Sequence, residues 1–226
     1  MIELKGVSKS YQRKLPVLDR ASAAIGKGEF AYLTGVSGAG KTTVFRLLLR
    51  VERPDAGAVI LNGEDVGRLN PDGRARLRRG IGMVFQDYRL LPQETVTDNV
   101  ALPLRIAGTP DARIRRVVED KLKQVGLGGR GGERVVTLSG GEKQLASIAR
   151  ALALNPPLLL ADEPTGNLDQ AMAFRIMELL REIHAEGCTV VVATHDVSLI
   201  RNFRARTLLI RERQIHEVRL VEAQAG

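Results

Sequence analysis

Residues 35–43 read GVSGAGKTT, and what flanks them decides the fold. Ahead lies FAYLT (30–34), an apolar run of strand length, and behind lies VFRLLLRV (44–51), which reads as a helix. A strand, a loop of the form G-x-x-x-x-G-K-T and a helix together make a P-loop. Gly35, Gly38 and Gly40 let the backbone curl so that its N–H groups surround phosphate oxygens. Lys41 carries a point charge to the β and γ positions, and the Thr42 hydroxyl can ligate Mg²⁺. The candidate binding segment is the whole run Gly35, Val36, Ser37, Gly38, Ala39, Gly40, Lys41, Thr42 and Thr43. Its expected ligand is a nucleoside triphosphate with magnesium.

A magnesium-bound triphosphate also needs acid at the end of a neighbouring strand. LLLADEP (158–164) supplies two adjacent carboxylates there. Asp162 is the candidate for the metal shell. Glu163, pointing differently at an extended strand end, is the candidate to orient or deprotonate an attacking water. VVVATHD (190–196) ends another strand-like run with His195, a candidate γ-phosphate contact. VFQD (84–87) puts Gln86 after a third, where an amide can touch the metal or the water.

The same reading finds further strand-like runs at AVILN (58–62) and IGMVF (81–85), besides PLLLAD (157–162) and CTVVVATH (188–195). Between them, Ile114, Val117, Val118, Leu122 and Val125 share one helical face, as do Ala173, Ile176, Met177, Leu180 and Ile183. The alternation predicts an α/β fold, a P-loop NTPase core with a mixed sheet. Residues 87–155 lack clear strands and read as an inserted helical subdomain, leaving 1–86 and 156–226 as the nucleotide-binding core of one domain, 1–226. RPDAG (53–57) and GLGGRGGE (126–133) read as loops.

Composition narrows the class. With 226 residues, 44% hydrophobic and 27% charged, the chain has the length and apolar content of an ordinary globular domain. The net charge of +8 gathers at RARLRR (74–79), RIRR (113–116) and RNFRAR (201–206), which suits phosphates, an anionic membrane surface or solvated helix faces. A 4% aromatic content without Trp, and no recognisable binding module, argue against a nucleic-acid partner. The single Cys188 gives no disulfide framework. Without an export signal or a membrane-length apolar run, a cytoplasmic location is expected.

LSGGEKQLASIARAL (138–152) puts Ser139, Gly140 and Gly141 ahead of a helix-period pattern. They serve either a tight helix entry or an anion site in which missing Cβ atoms let a phosphate approach the backbone. The segment alone leaves both open.

Tyr11, GVSGAGKTT, Gln86, LSGGE, LLLADE, GNLD (166–169) and His195 stand in the order and spacing of ABC-type ATPase subunits, and the chain resembles that family over nearly its whole length. The resemblance implies ATP as ligand and a homodimer in the ATP-bound state. Two subunits would stack head to tail, so that Ser139, Gly140 and Gly141 meet the γ-phosphate held by the other chain's Lys41. It implies that Tyr11 stacks on adenine and that Asp169 signals between the paired sites. A separate integral membrane subunit would be the partner, with this chain peripheral on the cytoplasmic face of the plasma membrane. MVFQDYRLLPQETVTDNVALPLRIAG (83–108) and LLLADEPTGNLD (158–169) look most like the cell-division branch, whose membrane subunit is FtsX-like and signals to cell-wall hydrolases. Lipoprotein-release or macrolide-type exporters, and a soluble ATPase acting on nucleic acid, are the alternatives. The resemblance places the partner's helix near Tyr88, Leu90, Leu91 and Pro92. Two departures stand out: Thr42 replaces the commoner Ser and keeps the hydroxyl, while Leu145 replaces an Arg, which puts a polar contact near the dimer interface in question.

Overall fold

The computed structural model describes residues 1–11 and 15–218. Residues 12–14 and 219–226, included in the core span read from the sequence, lie outside the described residues. In chain order the first strands are β1 (Ile2–Tyr11), β2 (Leu15–Ile25), β3 (Phe30–Thr34), β4 (Ala56–Leu61) and β5 (Glu64–Asp65), with helices α1 (Lys41–Leu48) and α2 (Pro71–Arg79). Then come β6 (Ile81–Val84), α3 (Val96–Ile106), α4 (Asp111–Gln124), α5 (Gly140–Leu152), β7 (Leu158–Asp162) and α6 (Gln170–Ala185). The chain continues through β8 (Thr189–Ala193), α7 (Val197–Asn202), β9 (Arg206–Arg211) and β10 (Gln214–Val218).

Six strands form the central sheet in the order β10-β9-β3-β8-β7-β6. Neighbours from β9 to β6 pair in parallel and β10 pairs antiparallel, so the sheet is mixed as expected. Every residue of β3, β7 and β8 is buried, the pattern of parallel strands covered on both faces. This is why FAYLT, LLLAD and TVVVA carry no polar alternation. The loops after β3, β7 and β8 all leave from one edge, which brings the P-loop, Glu163 and His195 together.

A second, antiparallel sheet runs β2-β1-β4-β5. AVILN marks its β4 in the sequence, but β1 and β2 leave no such trace: β1 alternates buried Ile2, Leu4 and Val7 with polar residues, and bulges interrupt its register against β2. β4 begins at Ala56, so its first two residues belong to a sheet rather than to the loop read over 53–57.

Between β6 and β7 the described residues hold three α-helices, a 3-10 turn (Val135–Thr137) and one isolated bridge, Thr95 to Arg134, with no named strand. Ile114, Val118 and Leu122 bury one face of α4, and Ala173, Ile176, Met177, Leu180 and Ile183 bury that of α6. Both join a core that also contains Phe30 and Val192 of the central sheet. Leu145, where the family carries an Arg, is only 2% exposed inside this core. Ala146, Ile148, Ala149 and Leu152 of α5 are buried in the same core, and a leucine among them needs no polar partner. Among the basic clusters, RARLRR and RIRR lie on helices, but Arg206 opens β9 and bridges Glu29 and Glu217, both at 2.9 Å. Cys188 is half-buried, and burial pushes its thiol up to about 11. Among the described residues, no helix is long and apolar enough to cross a membrane.

Candidate active site

The P-loop follows β3 and ends in α1. Gly40 caps that helix with φ +109, and a Cβ on it would lie 2.7 Å from Val17 Cγ1, so both conformation and space demand glycine. The helix has no side-chain cap and no acid in its first turn. Its free N–H groups and dipole are therefore available to an anion. Lys41 is buried, and its Nζ donates to the carbonyls of Gly35 at 2.9 Å and Val36 at 3.4 Å. Tyr11 lies beside this helix, its hydroxyl 3.5 Å from Thr43 Oγ1, with Lys9 5.5 Å from the ring centre.

Glu163 departs from the sequence reading in backbone, not in place. β7 ends at Asp162, and Glu163 takes φ +46, a left-handed conformation that costs a non-glycine residue about 1–3 kcal/mol. Its N–H is held by Ala193 O at 2.8 Å. The turn, rather than strand alternation, aims the carboxylate: Oε1 lies 3.3 Å from Lys41 Nζ and 2.9 Å from His195 Nδ1. One carboxylate oxygen thus meets the P-loop cation and the exposed imidazole.

Asp162 is buried, and its Oδ1 has no hydrogen-bond partner. Burial pushes its carboxyl above the ordinary range, a hydrogen bond from the Thr42 hydroxyl opposes this, the Glu163 charge adds to it, and Lys41 and Arg46 weaken it. Asp162, Thr42, Arg46, Gln86 and Asn167 line a cavity of about 570 Å³. Among the described residues there is no group of three or more His, Cys, Asp or Glu fit for a metal. Magnesium beside phosphates does not require one, since one or two carboxylates, phosphate oxygens and waters suffice. The orphaned Asp162 oxygen, the Thr42 hydroxyl and the Gln86 amide fit that donor set.

The signature segment has neighbours of its own. Ser139 caps α5, its hydroxyl accepting from Glu142 N at 3.3 Å while Ser139 N and Oγ both donate to Glu142 Oε2 at 2.8 Å. Ser-x-x-Glu is the capping-box spacing, a sequence signal that would have found Glu142. Ser139 and Gly140 are exposed, and a Cβ on Gly140 would lie 3.2 Å from the Tyr88 hydroxyl. Gly141 is buried, and its Cβ would stand 2.7 Å from Met172 Cε and 2.9 Å from Cγ. Packing of α5 on α6 thus gives a second reason for a small residue at 141, beside the phosphate approach read from the sequence. Asp169 caps α6 by accepting from Met172 N at 2.9 Å.

The segment after Gln86 is held by residues that sequence reasoning missed. Tyr88 and Arg89 both adopt left-handed backbone, φ +59 and +48. Arg150 donates to their carbonyls at 2.7 and 2.5 Å, and the Arg89 guanidinium stacks 4.1 Å over Phe85. Asn99, fully buried, binds the backbone of Leu91 and Thr95. None of these contacts has a local sequence signature.

A P-loop on a mixed sheet, with an Asp-Glu pair and a histidine at adjacent strand ends and a helix that a Ser-Gly-Gly segment opens and caps, defines a class. The chain belongs to the ABC transporter family, whose family model matches residues 18–166, and it is an ATPase of that kind. Among individual proteins it is similar to the cell division ATP-binding protein FtsE of Escherichia coli (strain K12), 45% identical over 216 residues that cover 96% of this chain and 97% of that protein. The FtsE of Mycobacterium tuberculosis (strain ATCC 25618 / H37Rv) is 46% identical over 209 residues, covering 92% of this chain and 91% of that protein. A solved relative, the dimeric ATP-binding cassette MJ0796 in a post-hydrolysis state bound to ADP and Pi, is 34% identical with a TM-score of 0.88, over 98% of this chain and 100% of that one.

Proposed function

We propose that this chain is the ATP-hydrolysing subunit of a cell-division complex, closing as a head-to-tail homodimer on Mg²⁺-ATP and driving a separate FtsX-like membrane subunit that signals to cell-wall hydrolases. The observation that carries the chemistry is the meeting of Lys41 and His195 on one oxygen of Glu163, beside the unpartnered Asp162 oxygen. Near-full-length similarity to FtsE proteins supports the cell-division setting, and the dimeric ADP-bound relative supports the assembly.

In this reading the triphosphate settles on the uncapped α1, and Tyr11 stacks on the adenine. Lys41 exchanges two carbonyls and Glu163 for β and γ oxygens, a stronger charge-assisted set. Glu163, released from Lys41, takes the proton of the attacking water, while His195 faces the γ-phosphate. Thr42, Asp162 and Gln86 hold the metal, which neutralises charge on the phosphate oxygens when bound. Ser139 and Gly140, with Gly141 behind them, close over the partner chain's γ-phosphate, and Asp169 links the two sites. Residues 87–155 act as the moving helical subdomain on the core of 1–86 and 156–226.

The membrane subunit docks in a groove of about 500 Å³ whose lining includes Phe85, Leu102, Pro103, Ile106, Arg150 and Leu154. Ile106 is 67% exposed, large and apolar. The groove lies beside Tyr88, Leu90, Leu91 and Pro92, the segment where the resemblance places the partner's helix; Leu90 packs on the protein's own core, while Leu91 is 45% exposed. The test is a pull-down from detergent-solubilised membranes with Ile106→Asp. Capture of an FtsX-like protein should fall while ATP affinity stays unchanged. Undiminished capture rejects the groove, and capture of an exporter subunit by the unmodified chain rejects the cell-division role.

A further inference from the structure

The glycine-rich loop 126–133 has no part in the chemistry above, yet it reaches the signature segment through its one arginine. Arg130 grips Glu133 with a two-pronged contact, Nε to Oε1 at 2.5 Å and Nη2 to Oε2 at 2.6 Å. Its remaining nitrogen, Nη1, donates to Oε1 of Glu142. The other oxygen of Glu142 accepts both the N–H and the hydroxyl of Ser139 at 2.8 Å. A single carboxylate therefore stands between Arg130 and the serine. The arginine is presented from a fixed backbone: Thr97 N donates to Gly131 O and Val96 N to Glu133 O, both at 2.9 Å, which ties the loop to the first turn of α3.

This arrangement bears on how an anion can be received at α5. Ser139 has one hydroxyl hydrogen, and here it is committed to Glu142. A carboxylate in the first turn of the helix also repels an incoming phosphate. A guanidinium on the far oxygen lowers both obstacles, because it draws the carboxylate's charge away from Ser139 and, though shared with Glu133, offsets part of it as seen by a phosphate. Hydrogen bonds from Ser139 and Arg130 hold Glu142 below the ordinary carboxylate range, and Arg130 does the same to Glu133.

We propose that Arg130 is a positioning residue for the signature: it holds Glu142 and offsets its charge so that Ser139 is aimed outward and its hydroxyl can pass to the γ-phosphate of the partner chain's ATP. This rests on the head-to-tail reading above.

The test uses the full chain in a Glu163→Gln background, with ATP-driven dimerisation followed by analytical ultracentrifugation and ATP affinity measured at protein concentrations where the chain is monomeric. Arg130→Ala should weaken the ATP-bound dimer by about tenfold or more, as expected for loss of a charge-assisted contact. Monomer ATP affinity should stay within about twofold, because the P-loop contacts are untouched. Adding Glu142→Gln to Arg130→Ala should restore most of the dimer affinity, since the charge that Arg130 offsets is gone. Arg130→Lys should fall between, with the charge kept and the fork lost; it also serves if the alanine variant folds poorly. An Arg130→Ala dimer as tight as its parent overturns the assignment. So does a folded Arg130→Ala chain that Glu142→Gln fails to rescue, because a purely structural role would show that pattern. A parent that does not dimerise on ATP overturns the head-to-tail reading and this assignment with it.

Discussion

Replacing Glu163 by Gln tests the proposed base with the smallest change in shape. The side chain keeps its volume and its left-handed backbone position at φ +46, so the shape of the site should be preserved. Two things change. The first is basicity: a positioned general base contributes about 10²–10⁴-fold, or roughly 3–5 kcal/mol of barrier. The second is the charge that Lys41 now faces at 3.3 Å. At that distance and an effective dielectric of about 20, the gross attraction is 332/(20 × 3.3), or about 5 kcal/mol. It must be surrendered when Lys41 turns to a triphosphate, so the glutamine should bind ATP as tightly as the parent or tighter, by up to about tenfold once screening reduces that figure. The expected variant hydrolyses ATP at least about a hundredfold more slowly and accumulates as the ATP-bound dimer. Single-turnover phosphate release, with nucleotide titration at equilibrium, separates the two effects. Parent-like turnover would remove Glu163 from the role of base, and a tenfold loss of affinity would refute the picture of Lys41 released from a carboxylate.

Lys41→Ala should lower ATP affinity by about a hundredfold or more, since several charge-assisted contacts vanish together; isothermal titration showing unchanged affinity would count against the P-loop assignment. Gly141→Ala should destabilise the fold by about 1–3 kcal/mol through overlap with Met172, and Met172→Ala should relieve it, as read from urea midpoints. Leu145→Arg should cost more than about 3 kcal/mol because an unpaired charge enters the core, so a parent-like melting temperature would show that position 145 faces outward after all. Acid should loosen the signature segment in a defined direction. Glu133 and Glu142 titrate below their ordinary 4.5 when folded, so their contribution is complete above that pH and is lost as pH falls through the lowered values. Arg130→Ala should flatten that acid limb of a melting-temperature profile, and an unchanged limb would show that the arginine does not set it.

What the sequence by itself determined is local chemistry. GVSGAGKTT between an apolar strand and a helix names a phosphate site because backbone curvature, one lysine and one hydroxyl are encoded within nine consecutive residues. Strands β3, β7 and β8 and the faces of α4 and α6 were legible for a similar reason, since burial on two faces or on one helical stripe leaves a periodic trace along the chain. Tertiary structure alone decided the rest. Leu145 reads the same whether it lies in a core or at an interface, and only the packing around α5 puts it inside. Gly141 is a glycine next to a glycine until α6 brings Met172 against it. Glu163 takes its aim from a left-handed turn whose N–H is held by Ala193, thirty positions along the chain, and β1 and β2 of the antiparallel sheet are strands because they find one another. Arg130 and Glu142 meet because the loop between them is pinned to α3. Each of these facts rests on contacts between residues distant in sequence, whose stability comes from closing the chain on itself and therefore leaves no periodic or short-range mark in the order of its residues.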